Sequence, residues 1–240
     1  MFQTFDDRAE EVRDAIGYLK TRDDIDSSKI GMWGISQAGW VMPKVCASSP
    51  DVAFVIAVSV PVGTIAEQDV FRVRHTMSAD GYTKEETESA LEVIRRLRGL
   101  IDKRAPFDEA LKLYREFESE PWGHFVSSKP TVDLYGFAKS LFALDKPPDV
   151  SAIKCPVLAV FGQKDMIVDV AESAARYTET LKAAGNDDVR VKVIPNANHG
   201  IALAETGGQL EAERMRESGD WRHAPGYLEL MGRWLEARVG

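Results

Sequence analysis

The chain has little cysteine: two in 240 residues, Cys46 and Cys155. That count excludes a disulfide framework. With only four histidines, no Cys/His cluster has metal-ligand spacing. Both cysteines lie in apolar stretches, VCA and KCPVLAV, and are expected as buried, reduced thiols. Long hydrophobic runs are missing, which excludes a membrane-spanning helix. The start, MFQTFDDRAEEV, lacks the basic-then-apolar pattern of a signal peptide, so a cytoplasmic setting is the expectation. Basic residues are outnumbered, 30 Lys and Arg against 38 Asp and Glu, for a net charge of -8. That balance argues against a nucleic-acid partner and an anionic membrane surface, both of which need a basic face. Repeats and low-complexity tracts are absent. Hydrophobic residues at 44% and charged residues at 28% then describe a soluble globular domain with a substantial core.

From Asp6 to Lys20, Ala9, Val12, Ile16 and Leu19 recur at helical steps. Residues 30–35 read as a short buried strand ending at Ser36, followed by a helix-compatible stretch, QAGWVMPKVCAS. Val52 to Val60, VAFVIAVSV, is a continuous β-branched run of the kind buried in a parallel sheet. Residues 65–144 read as helical. A capping box at Thr83–Glu86 opens one helix, Pro106 starts another, and a third spans Val132 to Ala143. Strands return at Pro156–Phe161 and at Val189–Ile194, near one sheet edge, with a helix at Ala171–Ala184 between them. A last helix covers Pro225 to Arg238. This order predicts an α/β fold: a mostly parallel sheet of about four strands, flanked by helices. The helical block interrupts it at the carboxyl end of a strand, where ligands bind in such sheets. Three parts are expected: core at 1–64, helical insertion at 65–147, core again at 148–240.

The stretch WGISQAGW holds Ser36 between small residues two positions away, Gly34 and Ala38. A serine on a tight strand-to-helix turn needs such neighbours, because the chain doubles back on itself. The turn lifts the hydroxyl clear of the sheet, and the helix start aims backbone N–H groups at the reaction centre. The N–H of Gln37 is placed to stabilise an oxyanion. A serine hydroxyl also needs a base, and the base needs an orienting acid. Asp165 follows PVLAVFG and His199 follows VRVKVIPNAN, each just beyond an apolar strand. Parallel strands put all three residues on one sheet edge, so Ser36, His199 and Asp165 are the expected catalytic set. Asp169 is the rival acid.

At these motifs the chain resembles the α/β-hydrolase superfamily. WGISQAGW looks like its nucleophile elbow, with Ala38 at a position more often glycine. LAVFGQKDMIV looks like its acid turn, and IPNANHG like its histidine loop. Within the superfamily the KIGMWGISQAGW stretch is most similar to esterase, dienelactone-hydrolase and prolyl-oligopeptidase-like members. The resemblance implies a serine hydrolase working through an acyl-enzyme, with no metal or organic cofactor, on a small-molecule ester; thioesters and peptides stay open as alternatives. It also implies a lid formed by residues 65–147. The family has about four strands before the nucleophile strand, and a second oxyanion donor comes from a loop after one of them. Residues 1–29 leave no room for those strands. The expected consequences are an open edge on the nucleophile strand, for which a homodimer is one cover, and a half-built oxyanion hole. The rival reading is a truncated, catalytically silent remnant serving as an interaction or assembly module.

Other residues invite a role. His124 and Trp122 in PWGHF, and Trp40 beside the elbow, are candidate substrate contacts; both tryptophans are equally candidates for packing. His75, in RVRHTM, is expected on the surface, and His223, before the last helix, as a helix-start or surface residue.

Overall fold

The computed structural model describes residues 3–143 and 145–239. Its first half runs α1 (Phe5–Leu19), β1 (Met32–Ile35), α2 (Ala38–Ser48) and β2 (Val55–Val58). A helical block follows: α3 (Ile65–Ala79), α4 (Lys84–Asp102), α5 (Phe107–Phe117), α6 (Gly123–Val126) and α7 (Val132–Ala143). The chain then forms β3 (Val157–Gly162), α8 (Val170–Ala183), β4 (Val189–Ile194), α9 (Gln209–Ser218) and α10 (Tyr227–Val239).

The sheet order is β1-β2-β3-β4, with every pair parallel. Each crossover contains helix, as parallel pairing demands. Side chains alternate between two faces. Val157, Ala159 and Phe161 of β3 enter the core beneath α1, α2 and α8. Leu158 and Val160 enter the core beneath α10, beside Trp234. Strand β3 is fully buried along its length, which explains its unbroken apolar sequence. Each fully buried Val, Leu or Phe side chain among them stabilises the fold by about 1.5–3 kcal/mol. Cys46 and Cys155 pack against the first of these cores as free thiols, half-buried rather than buried.

The helical block has apolar clusters of its own, one around Met77, Leu91, Phe117 and Phe125 and a second around Ile101 and Tyr135. Capping boxes open three helices: Thr4 with Asp7, Thr64 with Glu67, and Thr83 with Glu86. Each fixes where its helix starts and is worth about 1 kcal/mol.

Two strand readings change. Strand β1 is buried on one face only: Met32 and Gly34 are buried, while Trp33 is 57% exposed, because β1 ends the sheet. The N–H groups of Met32 and Ser36 pair towards β2. Alternation then turns the backbone groups of Trp33 and Ile35 to the open side, where no strand pairs among the described residues. Strand β2 is shorter than Val52–Val60, because Ser59 turns into the left-handed region at φ 46°. At the other edge, β4 places Arg190 and Lys192 among its exposed positions, charges that discourage edge pairing.

Candidate active site

Ser36 follows β1 with φ 55°, a conformation that is uncommon for a side-chain-bearing residue. Close packing holds it there. A Cβ on Gly34 would come within 2.5 Å of the Ala38 methyl, and one on Gly39 within 3.0 Å of Val60 and 3.1 Å of Pro61. Small residues at these positions are therefore a steric requirement of the turn. Gln37 caps α2 at its start, and its side-chain carbonyl accepts from Arg8 Nη1 at 2.7 Å, tying α1 to the turn.

Asp165 lies three residues past β3. Its side chain is fully buried, while that of His199 keeps 19% exposure. One oxygen, Oδ1, accepts from the N–H groups of Ile167 at 2.8 Å and Val168 at 3.0 Å. The other, Oδ2, lies 2.8 Å from His199 Nδ1. A carboxylate only accepts, so Nδ1 carries a proton, and in the neutral imidazole it is Nε2 that holds the lone pair. The rival Asp169 is engaged elsewhere, as the N-cap of α8, accepting from Glu172 N–H at 2.9 Å.

The histidine loop is built from its own backbone. Asn196 and Ile201 both have positive φ, 52° and 55°. For a β-branched residue such as Ile201 this is a costly conformation. Asn198 Oδ1 accepts from Gly200 and Ala202 N–H, both at 3.0 Å. Lys164 N–H donates to Ala197 O at 2.7 Å, joining this loop to the acid turn. Asn198 is thus a positioning residue for His199 that the motif reading passed over.

A second support comes from α9, which the sequence reading did not foresee. Its N-terminus is capped from the helical block: Asp80 Oδ2 accepts from Gln209 N–H at 2.9 Å and Leu210 N–H at 3.2 Å. Glu211 on α9 accepts from the backbone N–H of Glu205, Thr206 and Gly207 at 2.7–2.8 Å, and from the Thr206 hydroxyl at 2.7 Å. Burial alone would raise the Glu211 pKa, but these donors outweigh it and hold the carboxyl down at about 2, against an ordinary 4.5. The ionised form is the bound form. Its stabilisation is therefore complete above pH 4.5 and is lost as pH falls through about 2. Glu211→Gln is expected to cost about 1–3 kcal/mol at neutral pH. It should also flatten the acid-side loss of stability in that window. Thermal melts across a pH series check this; an acid limb as steep as wild type would count against it.

A cavity of about 480 Å³ opens beside His199, walled by Arg72 and Thr76 of α3, Ile167, Gly208 and Trp221. The helical block thus supplies one wall next to the imidazole. The remaining candidate contacts lie elsewhere. Trp40 is buried, stacked on Phe5 at 5.2 Å, and lines a separate cavity of about 320 Å³ between α1, α2 and residues 146–149. Trp122 packs inside the helical block against Phe117, because its neighbours there are apolar. His124 is exposed on α6. None of the three lines the His199 cavity. His75 is half-buried rather than on the surface: its ring stacks on Phe71 at 3.8 Å and its Nδ1 lies 2.8 Å from Phe71 O. His223 is exposed and bridges to Ala202.

The profile of the prolyl oligopeptidase family matches residues 120–216, less than half of the chain; that segment includes Asp165 and His199 and stops short of Ser36. Among curated protein sequences none matches. An esterase of Pyrococcus furiosus is similar in structure, at 16% identity and a TM-score of 0.51, over 99% of this chain and 64% of that one. A second crystal form of the same esterase gives 15% identity, a TM-score of 0.50, and coverage of 100% and 65%. A thermophilic esterase of Thermogutta terrifontis matches at 18% identity and a TM-score of 0.48, over 100% of this chain and 75% of that one. The chain spans just under two thirds of the length of the Pyrococcus esterase. It has the α/β-hydrolase fold, with the turns of Ser36, Asp165 and His199 all at the carboxyl ends of its parallel strands.

Proposed function

We propose that the protein is a serine hydrolase that cleaves carboxylic esters. The observation that carries the reading is the buried Asp165 hydrogen-bonded to His199 Nδ1 at the carboxyl end of the parallel strands, where Ser36 also sits in a strained turn. His199 Nε2 takes the Ser36 proton as Oγ attacks the acyl carbon. The same nitrogen then delivers that proton to the leaving alcohol. Asp165 fixes the imidazole tautomer and stabilises the imidazolium. The N–H of Gln37, at the start of α2, donates to the developing oxyanion. Water, deprotonated by His199, releases the acid from the acyl-enzyme. Residues 65–147 act as a cap over the reaction centre, consistent with the wall that α3 supplies beside His199.

Peptide substrates form the second reading, favoured by the prolyl oligopeptidase match. The decisive experiment is intact mass after exposure to a fluorophosphonate, with Ser36→Ala alongside. One adduct on the wild type, mapped to Ser36 and absent from the variant, is expected. A folded wild-type protein that takes no adduct, or takes it at another residue, would overturn the mechanism. Paired ester and anilide substrates then separate the two readings by their ratio of kcat/KM.

A further inference from the structure

We propose that the cavity beside His199 is the subsite for the leaving alcohol of the ester, and that Trp221 makes it selective for an aryl alcohol. The inference rests on the ester-hydrolase reading and adds where each half of the substrate lies. His199 Nε2 hands its proton to the departing oxygen, so the leaving group has to lie on the imidazole side of the scissile bond. The cavity of about 480 Å³ borders His199 and Gly200 but neither Ser36 nor Gln37, where the acyl carbon and its oxyanion belong.

Trp221, between α9 and α10, is the large apolar side chain in its wall. Its segment is zipped to the histidine loop. Leu203 N–H donates to Arg222 O at 2.9 Å, Ala224 N–H donates to Ile201 O at 2.8 Å, and Ala202 bridges to His223. The indole in turn rests on the backbone of Gly200. A Cβ at Gly200 would collide with Trp221 Cζ2 and come within 2.8 Å of Cη2. The residue after the base is therefore glycine for a reason outside its own loop: it makes room for the ring.

That ring still has surface to offer. Trp40 stacks on Phe5, Trp122 on Phe117, and Trp234 packs against Phe54 and under Arg238. Trp221 has no ring or cation partner and no hydrogen bond to its indole N–H among the described residues, and it stays 37% exposed. An anchored, open aromatic ring takes a second ring in offset or edge-on geometry. The charges around the cavity point to a neutral one. Arg72 is paired with Asp69 at 2.6 Å, and its guanidinium also donates to Phe125 O at 2.9 Å. Arg216 shares the cavity with Glu213. With its cations matched by carboxylates, the subsite has no net charge to draw in an ionic alcohol. A phenol-type alcohol is the class that fits.

The test compares phenyl acetate with hexafluoroisopropyl acetate. They share an acyl group and have leaving alcohols of similar acidity, so the shape of the leaving group is what differs. The wild type should favour the phenyl ester in kcat/KM. Trp221→Ala should lower kcat/KM for that ester by about tenfold and leave the fluoroalkyl ester within about twofold. Trp221→Leu, which keeps apolar bulk without a ring, should do the same, and Trp221→Phe should keep most of the preference. Hydrolysis of the shared acetyl-enzyme should be equal in all four proteins, because the leaving group has gone by then. The leucine variant decides the matter if the alanine one does not fold. Turnover of both esters without an aryl preference, or equal loss of both in the variants, would overturn the subsite and leave the hydrolase reading standing. Turnover of neither would remove the ester reading and the subsite with it.

Discussion

Asp165→Asn is expected to lower kcat on an activated ester by about 10⁴-fold while the fold persists. The reason lies in the hydrogen bonds around the carboxylate. Oδ1 faces two backbone donors, the N–H groups of Ile167 and Val168. An asparagine must turn its amide oxygen towards them, since its NH2 has nothing to give to a donor. The NH2 then faces His199 Nδ1, where Oδ2 stood. Nδ1 becomes the acceptor, the imidazole proton moves to Nε2, and the nitrogen that should take the Ser36 proton no longer has a free lone pair. The imidazolium also loses its counter-charge. Steady-state kinetics with a thermal melt alongside measure both effects: a large fall in kcat with a small change in melting temperature is the expected pair. Turnover within tenfold of wild type would show that Asp165 does not orient the base, and would send the search back to Asp169.

Much of this site was legible in the sequence because the chemistry sits where local patterns end. A parallel sheet puts every strand's carboxyl end on one edge. Finding three strands, each followed by Ser36, Asp165 or His199, therefore put these turns at the carboxyl ends of strands without any contact information, and the structure adds the Asp165–His199 hydrogen bond. Gly34 and Ala38 were readable for a related reason: a turn this tight is a local steric problem. The helix starts at Thr83 and Pro106 were readable because caps are local too. What stayed hidden depends on distant partners. Helix α9 has no buried residues and hence no apolar stripe, and its cap is Asp80, 129 positions away. The exposure of Trp33 depends on which strands flank β1, which its own sequence does not encode. His75 is the exception: its partner Phe71 lies only one turn back on the same helix α3, and its ring stacks there.

The second large effect concerns a glycine with no chemistry of its own. Gly162 ends β3 directly against the histidine loop. A Cβ there would strike the carbonyl oxygen of Asn198 and would lie 2.5 Å from that of Ala197. Both obstacles are backbone, so no side chain can swing away. The loop cannot retreat freely either, because Lys164 N–H holds Ala197 O, and Asn198 Oδ1 holds Gly200 and Ala202. Gly162→Ala should therefore destabilise the fold by about 1–3 kcal/mol through overpacking. It should also move His199 relative to Ser36, at a cost of about 10²-fold in kcat for a displacement near 1 Å. Gly99→Ala is the matched control: nothing lies within 4 Å of its added methyl, and in the last turn of α4 the change should stabilise by up to about 1 kcal/mol with kcat unaltered. Denaturant midpoints and kcat for the two variants give opposite signs in one column and a contrast in the other. If Gly162→Ala matched the control in both, the close approach of β3 to the loop would have no part in holding the imidazole, and the placement of His199 would have to rest on Asp165 and Asn198 alone.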